Sequence, residues 1–220
     1  RLSPPRATGG EQPIAHRAIT APNLYLDVAD PETFDGHLTY VQPREMTRQD
    51  IAAVTAEFAA AGRRAQRAGF DGILFHSASG YLIQQFFNPD SNRRTDEYGG
   101  DTAARARFAC ELLQAVRAEV GPDFPLLMGL SQFAVNDFAW VTWPDPADLA
   151  ITVNALKDAG ADGFHAAGYR IETPAFDAKA DPAGHGLAWH VRHMSGLPTV
   201  AVGGVTYTAS WSAARPYRRI

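Results

Sequence analysis

The 220-residue chain contains one cysteine, Cys110, so no disulfide can form within it. A lone cysteine is typical of proteins in a reducing compartment, and we therefore expect a cytoplasmic protein rather than a disulfide-stapled scaffold. The sequence also lacks any apolar run approaching the roughly 20 residues that a membrane-spanning helix requires. We accordingly expect no membrane partner.

Basic charge is scarce as well, since 20 Lys and Arg residues stand against 24 Asp and Glu residues, giving a net charge of −4. Nucleic-acid phosphates require a basic surface, so this balance predicts no nucleic-acid partner. No Gly-x-Gly-x-x-Gly motif follows a predicted strand and no Walker loop is present, which disfavours a dinucleotide-binding sheet. The remaining composition, 45% apolar and 10% aromatic, is that of one ordinary globular domain over residues 1–220.

From residue 47 onward, apolar spacing and capping residues indicate helices. Thr47 with Asp50 three positions later predicts a capped helix start, and Asp101 and Asp145 predict two more. The predicted helices cover residues 48–68, about 101–120, 146 to just before Gly160, and 187–195. Residues 1–46 lack sustained periodicity and are predicted to be a long irregular loop region.

Between the helices lie short apolar runs without polar alternation, as expected for strands buried on both faces. The predicted strands are residues 72–75, 125–128, 161–165 and 198–202. Alternating strands and helices predict parallel βα units, hence either a doubly wound sheet or a (β/α) barrel. Without a nucleotide-binding glycine motif the barrel is favoured.

In such barrels, functional side chains gather where strands end. One predicted strand end reads His76-Ser77-Ala78-Ser79-Gly80-Tyr81, which supplies an imidazole N–H donor and a phenolic proton donor. A histidine satisfied at a strand end and a tyrosine packed nearby explain the same pattern equally well. The charged loop at residues 88–100 is interpreted as structural support for this strand end.

Two further groups of residues stand out at later strand ends and on the last helix. Tyr169 and Arg170 follow the third predicted strand, where they can line a substrate pocket, although Arg170 suits a structural salt bridge as well. His185, His190 and His193 are interpreted as surface histidines rather than metal ligands, because no carboxylate or cysteine is expected to complete a set.

Residues 68–108, AGFDGILFHSASGYLIQQFFNPDSNRRTDEYGGDTAARARF, closely resemble the signature segment of the Old Yellow Enzyme family. These proteins are FMN-dependent NAD(P)H ene-reductases built on a (β/α)8 barrel. ADGFHAAGYRIETPAFD at 161–177 and LPTVAVGGV at 197–205 are similar to the family's sixth and seventh strand ends, and the resemblance extends over about residues 22–205.

The resemblance implies roles for the first strand end. His76 corresponds to the histidine that hydrogen-bonds the carbonyl oxygen of an α,β-unsaturated substrate, and Ser79 stands where a second histidine or an asparagine is expected. Tyr81 corresponds to the tyrosine that protonates the α-carbon after flavin N5 delivers hydride to the β-carbon. The implied cofactors are FMN and, as reductant, NAD(P)H.

The resemblance also identifies FMN phosphate ligands, the backbone amides of Gly203 and Gly204 and, more loosely, Arg215. Gly129 replaces an arginine that faces the flavin pyrimidine. The family's first three strands have no counterpart, which predicts an incomplete barrel retaining about four parallel βα units. Two hypotheses follow: a flavin enzyme, or a flavin-free barrel fragment with a structural or binding role that associates, for instance as a homo-oligomer, through exposed sheet edges.

Overall fold

In a computed structural model, residues 43–134 and 140–204 are described, together with the short pairs 14–15, 24–25 and 37–38. The helices are α1 (Arg48–Arg67), α2 (Leu82–Phe87), α3 (Thr102–Val120), α4 (Pro146–Asp158) and α5 (Leu187–Ser195). The strands are β1 (Ile14–Ala15), β2 (Leu24–Tyr25), β3 (His37–Leu38), β4 (Arg44–Glu45), β5 (Ile73–His76), β6 (Leu126–Ser131), β7 (Gly163–Arg170) and β8 (Thr199–Gly204).

The main sheet contains four parallel strands in the order β5-β6-β7-β8. Each strand is joined to the next through a helical segment, as parallel pairing requires. This arrangement confirms the predicted α/β architecture and is that of a partial barrel with four parallel strands. None of the helices in the described part of the chain is both long and apolar enough to cross a bilayer.

The region predicted to be irregular, residues 1–46, contains two short strand pairs in its described part. β1 pairs with β4 in parallel, and β2 pairs with β3 in antiparallel fashion. Two-residue strands leave no periodic signal in a sequence, so these pairings were not predictable from pattern. The rest of that prediction lies outside the described residues.

The predicted helix starts are confirmed by their capping hydrogen bonds. At α1, the Thr47 hydroxyl accepts from the Asp50 N–H while the Asp50 carboxylate accepts from the Thr47 N–H, which completes a capping box. Asp101 accepts from the Ala104 N–H to cap α3, and Asp145 caps α4 in the same way. These caps satisfy N–H groups that the helix itself leaves without partners.

The strands differ from prediction mainly at their ends. β6 and β7 continue to Ser131 and Arg170, and β5 starts one residue later than expected and includes His76. The apolar run marks only the centre of a buried strand, because the ladder continues through polar residues at its carboxyl end. α2 was not predicted, since its six residues are too few to show a helical period.

The core lies between the sheet and the helices. Phe108 and Leu112 on α3 and Met128 and Phe164 on the sheet are completely buried there. The opposite sheet face carries Leu74 and Val200, which are 47% and 53% exposed. In a closed barrel that second face lines the interior, so within the described residues the barrel is open on this side.

Thr47→Ala should destabilise the protein because it removes the hydroxyl that caps α1. We expect the free energy of unfolding at pH 7 to fall by about 1 kcal/mol in urea denaturation. Thr47→Ser keeps the hydroxyl and should stay within a few tenths of a kcal/mol of the parent protein. Equal stability of the parent and the alanine variant would contradict a capping role.

The pH dependence of this cap follows from Asp50. Hydrogen bonds from Arg44 and Thr47 hold the pKa of the Asp50 carboxyl well below its usual range. A carboxyl whose pKa is lower in the folded state contributes stability above its unfolded pKa of about 4 and loses it as pH falls. Asp50→Asn should therefore flatten the acid side of the stability profile between about pH 5 and pH 2.

Candidate active site

Three residues form one row across the carboxyl half of the sheet. His76 on β5 pairs with Gly129 on β6, which in turn pairs with His165 on β7. Because the middle residue has no side chain, the two imidazoles interact across it. Burial first, and the neighbouring His165 second, lower the pKa of His76. The lowered pKa favours the neutral form of the imidazole, which has one N–H to donate.

Tyr81 lies directly beside His76. The ring centroids are 4.9 Å apart with an interplanar angle of 49°. Tyr81 occupies the position just before α2 and is 45% exposed, so its phenol remains open to a ligand. The structure therefore brings together the imidazole and the phenol that the sequence singled out, at the carboxyl end of one strand.

Ser79, between these two side chains, has an unusual backbone conformation. Its φ is +60°, which is uncommon for a residue other than glycine and is tolerated best by asparagine, aspartate and histidine. Its backbone N–H donates to Ser131 Oγ at 2.8 Å. Such a conformation costs on the order of 1–3 kcal/mol and persists only where surrounding contacts fix it.

The turn after Ser79 is also fixed by hydrogen bonds from two residues that sequence reasoning missed, Gln84 and Gln85. The Gly80 N–H donates to Gln84 Oε1, and Gln85 Nε2 donates to the Gly80 carbonyl at 2.7 Å. Gln84 is completely buried, and its Nε2 donates to the Ser131 carbonyl at 2.6 Å and to Thr142 Oγ1 at 2.7 Å. The sequence signal for them was a pair of glutamines inside an apolar run. Such glutamines are expected to be buried, and buried amides are nearly always hydrogen-bonded.

The charged loop at residues 88–100 is held by hydrogen bonds within the protein, and its role as structural support for the site stays a prediction. Asn92 Nδ2 donates to the Phe86 and Tyr98 carbonyls at 2.8 and 2.7 Å, which closes the loop on itself. Arg94 is buried and donates to the Met46 carbonyl and to Asp96. These polar groups are used within the protein rather than presented to a ligand.

Tyr169 and Arg170 lie at the carboxyl end of β7, on the same edge of the sheet as His76 but two strands away. The pairing of β7 with β8 shifts register between Ala167 and Arg170, and such a bulge changes the direction of the side chains that follow. Arg170 lies 4.0 Å from Glu172, at the limit of an ion pair, and Tyr169 is 65% exposed. Both the pocket and the salt-bridge interpretations of Arg170 stay open.

Gly203 and Gly204 end β8 at this same edge. A Cβ on Gly203 would lie 2.6 Å from the Gly168 carbonyl oxygen, so close packing of the two strand ends requires glycine there. Gly204 pairs with Arg170 in the ladder. Arg215 lies outside the described residues, so its predicted phosphate contact is untested.

These features bear on whether a flavin fits. One sheet edge presents an imidazole, a phenol and glycine backbone, and the adjoining sheet face is open, which suits a flat ring system with a phosphate tail. Gly129 provides no cation where the resemblance expects an arginine. The side chains beside it in the same row of the sheet are those of His76 and His165. The imidazole, the phenol and the two glycines thus lie on the edge where the resemblance expects flavin and substrate contacts, and the edge departs from that expectation at Gly129.

The histidines of the last helix differ from prediction. His193 is exposed, as expected, and stacks on Trp189 with centroids 3.9 Å apart. His190, however, is buried and its Nε2 lies 3.0 Å from Asp181 Oδ2, with His185 Nδ1 3.2 Å from the same carboxylate. The Asp181 carboxylate lies against both imidazoles. It was missed because Asp181 and His185 lie in a loop, where their spacing of four residues carries no helical signal.

Residues 9–214 match the family model of the NADH:flavin oxidoreductase / NADH oxidase family. The chain belongs to this family. The expected Old Yellow Enzyme resemblance is thereby confirmed at the level of family and fold.

Several family members show how far the similarity extends. A metal reductase of Desulforamulus reducens is 33% identical over 190 residues, covering 85% of this chain and 27% of that protein. An NADPH dehydrogenase of Clostridium acetobutylicum is 35% identical over 166 residues, covering 73% and 46%. The structure of the old yellow enzyme homologue from Zymomonas mobilis aligns with a TM-score of 0.75 at 25% identity, covering 97% of this chain and 57% of that one.

The chain thus spans between about a quarter and about a half of the curated relatives that it matches, 27% and 46% for the two above. The family membership and the barrel-type fold are therefore properties of this chain, and the four strands β5 to β8 are its share of the family's barrel in the described residues. The activity of the whole enzyme is a separate question.

Gln84→Leu should destabilise the turn that precedes Tyr81, because it removes the buried amide that accepts from the Gly80 N–H and donates to the Ser131 carbonyl and to Thr142 Oγ1. We expect the free energy of unfolding to fall by about 1–3 kcal/mol. Gln49→Leu makes the same change on the exposed surface of α1 and should alter stability by no more than about 0.5 kcal/mol. Urea denaturation of both variants measures the difference, and equal effects would show that the buried network does not hold the turn.

Proposed function

We propose that this chain carries the substrate-activating part of an FMN-dependent NAD(P)H oxidoreductase that reduces the alkene of α,β-unsaturated carbonyl compounds. The observation that carries the proposal is the contact between His76 and Tyr81, at a ring-centroid distance of 4.9 Å, on a strand end of a chain from this family. The partners are thus small molecules, an enone-type substrate and a reduced nicotinamide.

His76 binds the substrate carbonyl in this proposal. Its lowered pKa keeps the imidazole neutral, so one ring nitrogen carries the proton and donates it in a hydrogen bond to the carbonyl oxygen. That hydrogen bond withdraws electron density from the conjugated alkene and makes the β-carbon electrophilic. Ser79 provides a shorter polar group than histidine or asparagine, so His76 carries most of the binding.

Tyr81 is the proton donor. Bound FMN, reduced by NAD(P)H, supplies the hydride chemistry at the β-carbon. The Tyr81 hydroxyl gives its proton to the α-carbon, which is reached because the phenol lies beside the imidazole that holds the carbonyl. Bulk water can restore the phenol proton, since Tyr81 is 45% exposed.

The remaining residues are assigned to binding. The backbone N–H groups of Gly203 and Gly204 are proposed to hold the FMN phosphate, together with Arg215. Tyr169 and Arg170 are proposed to line the outer part of the substrate pocket, because they project from the same sheet edge as His76. A nicotinamide reductant is consistent with similar proteins, among them the NADPH dehydrogenase of Clostridium acetobutylicum and the NADH oxidase of Thermoanaerobacter brockii.

A second candidate is a flavin-free binding or structural protein. It is favoured by Gly129, which lacks the expected cation, and by the open sheet face with Leu74 and Val200 exposed. Apolar residues exposed on an open sheet predict self-association. This candidate therefore expects a colourless protein that dimerises.

Titration with FMN separates the two candidates. The enzyme proposal expects a yellow protein with a visible absorption band shifted from that of free FMN, and bleaching of that band by NADH or NADPH under anaerobic conditions. A protein that stays colourless at saturating FMN and sediments as a dimer would overturn the proposal and support the second candidate.

Tyr81→Phe tests the proton donor in the flavin-loaded protein. We expect the rate of alkene reduction in stopped-flow experiments to fall about 10²–10⁴-fold, the range typical for loss of a general acid. Reduction of the flavin by NAD(P)H needs no proton from Tyr81 and should keep its rate, which provides an internal control. A loss of both half-reactions together would show that Tyr81 supports the fold rather than the proton transfer.

Ser79→Asn tests the second carbonyl contact. Asparagine tolerates the positive φ at this position and reaches further than serine, so the variant should fold normally and bind an enone more tightly. We expect KM to fall several-fold with little change in flavin reduction, whereas Ser79→Ala should leave KM unchanged or raise it. An unchanged KM in the asparagine variant would place the substrate elsewhere.

A further inference from the structure

The loop between β7 and α5, together with the first turn of α5, carries a cluster that the proposed reaction does not use. It consists of the Asp181 carboxylate and the imidazoles of His185 and His190, and one ligand atom from each lies within 4.8 Å of the other two. We propose that this cluster binds a divalent transition-metal ion such as Zn²⁺.

The distances suit a single ion. Asp181 oxygens lie 3.2 Å from His185 Nδ1 and 3.0 Å from His190 Nε2. A tetrahedral Zn²⁺ with bonds of about 2.0–2.1 Å places its ligand atoms roughly 3.3 Å apart. Both carboxylate–imidazole distances are already near this value, so only the two imidazole nitrogens need to approach each other.

The donor set selects the class of metal. Two imidazole nitrogens and one carboxylate oxygen are suited to Zn²⁺ and its transition-metal neighbours, whereas Mg²⁺ and Ca²⁺ prefer oxygen ligands alone. Three protein ligands leave a fourth position for water. The D-x3-H-x4-H spacing takes two ligands from the loop and one from the first turns of α5.

The loop is built so that it holds these ligands in place. The Asp181 carboxylate accepts from the His185 backbone N–H at 2.6 Å, and the His185 carbonyl accepts from the Ala175 N–H at 2.9 Å. Gly184, with a φ of +68°, allows the chain to turn back between the carboxylate and the first histidine. The ligand side chains are therefore oriented before an ion arrives.

Aromatic rings pack against both histidines of the cluster, while the His185 side chain stays 32% exposed. Phe176 packs edge-on against His190 with centroids 4.9 Å apart, and Trp189 stacks on His185 at 3.6 Å. Asp181 and His190 are both buried, at 8% and 6% exposure. An apolar shell of this kind fixes ring orientation and limits access of water to the ion.

Binding of an ion would join the loop to α5. The loop follows Tyr169 and Arg170 directly, so the ion would also restrain the segment that leaves the proposed substrate pocket. This structural effect is separate from the flavin chemistry, and it can be measured without any assay of activity.

The experiment is equilibrium dialysis of the full chain, first stripped with a chelator, against Zn²⁺, with metal content determined by mass spectrometry. Co²⁺ serves as a second probe because tetrahedral Co²⁺ has intense visible d–d bands. We expect one Zn²⁺ per chain and a tetrahedral Co²⁺ spectrum. His185→Gln should weaken binding by about 100-fold or more, since it removes a direct ligand.

His193→Gln is the matched control, because His193 also stacks on Trp189 but lies outside the cluster. Its affinity should stay within about threefold of the parent chain. Asp181→Asn, checked for folding by circular dichroism, should lose binding as His185→Gln does. Hydrogen bonds alone explain the cluster, and the proposal fails, if the parent chain takes up no Zn²⁺ at micromolar concentration or if His185→Gln and His193→Gln bind equally.

Discussion

The parallel hydrogen-bond ladder from β5 to β7 is the constraint on which the site depends. It places His76, Gly129 and His165 at one level, although they are far apart in the sequence. Parallel pairing requires that every strand run the same way, so all the strand ends meet at one edge. A slip of one residue between β5 and β6 would turn His76 towards the helices and bury it in the core.

The turn between His76 and Tyr81 depends on a network of buried hydrogen bonds in addition to the strand pairing. Ser79 is held at positive φ, which costs free energy, and the hydrogen bonds of Gln84 with Gly80, Ser131 and Thr142 offset that cost. Because Gln84 is fully buried, these bonds are strong and their loss leaves polar groups without water. The proximity of imidazole and phenol is thus a product of the buried network and the ladder together.

The elements that could be predicted from the sequence are those held by interactions between residues close together in the chain. Caps such as Thr47 and Asp101 act within three residues, so pattern reasoning located α1 and α3 closely. The centres of the strands were found from their apolar runs, whereas their polar carboxyl ends are paired through partners on other strands and were underestimated. The six residues of α2 are helical mainly through tertiary packing, since isolated helices of that length are unstable.

In the site, too, the residues with a local signal were predicted and those held by partners distant in the sequence were missed. His76 and Tyr81 were identified because they lie five residues apart in a segment that resembles a known family. Ser131 and Thr142, which accept hydrogen bonds from Gln84, lie 47 and 58 residues away, and no local pattern connects them to it. Asp181 was missed for a related reason, because a loop between strand and helix follows no period that would align a carboxylate with His190.

Gly129 shows how the ladder limits the chemistry that this edge can offer. A Cβ at this position would lie 3.1 Å from the Phe75 carbonyl oxygen, so any side chain would require β5 and β6 to shift apart slightly. Burial is the larger cause of the lowered pKa of His76, and His165, across the glycine in the same row, lowers that pKa further. A cation at Gly129 would lower that pKa further by repulsion, whereas glycine leaves the two imidazoles as the groups that set the electrostatics of the row. Gly129 therefore leaves the row without a fixed positive charge, while burial and His165 already favour the neutral, hydrogen-bond-donating form of His76.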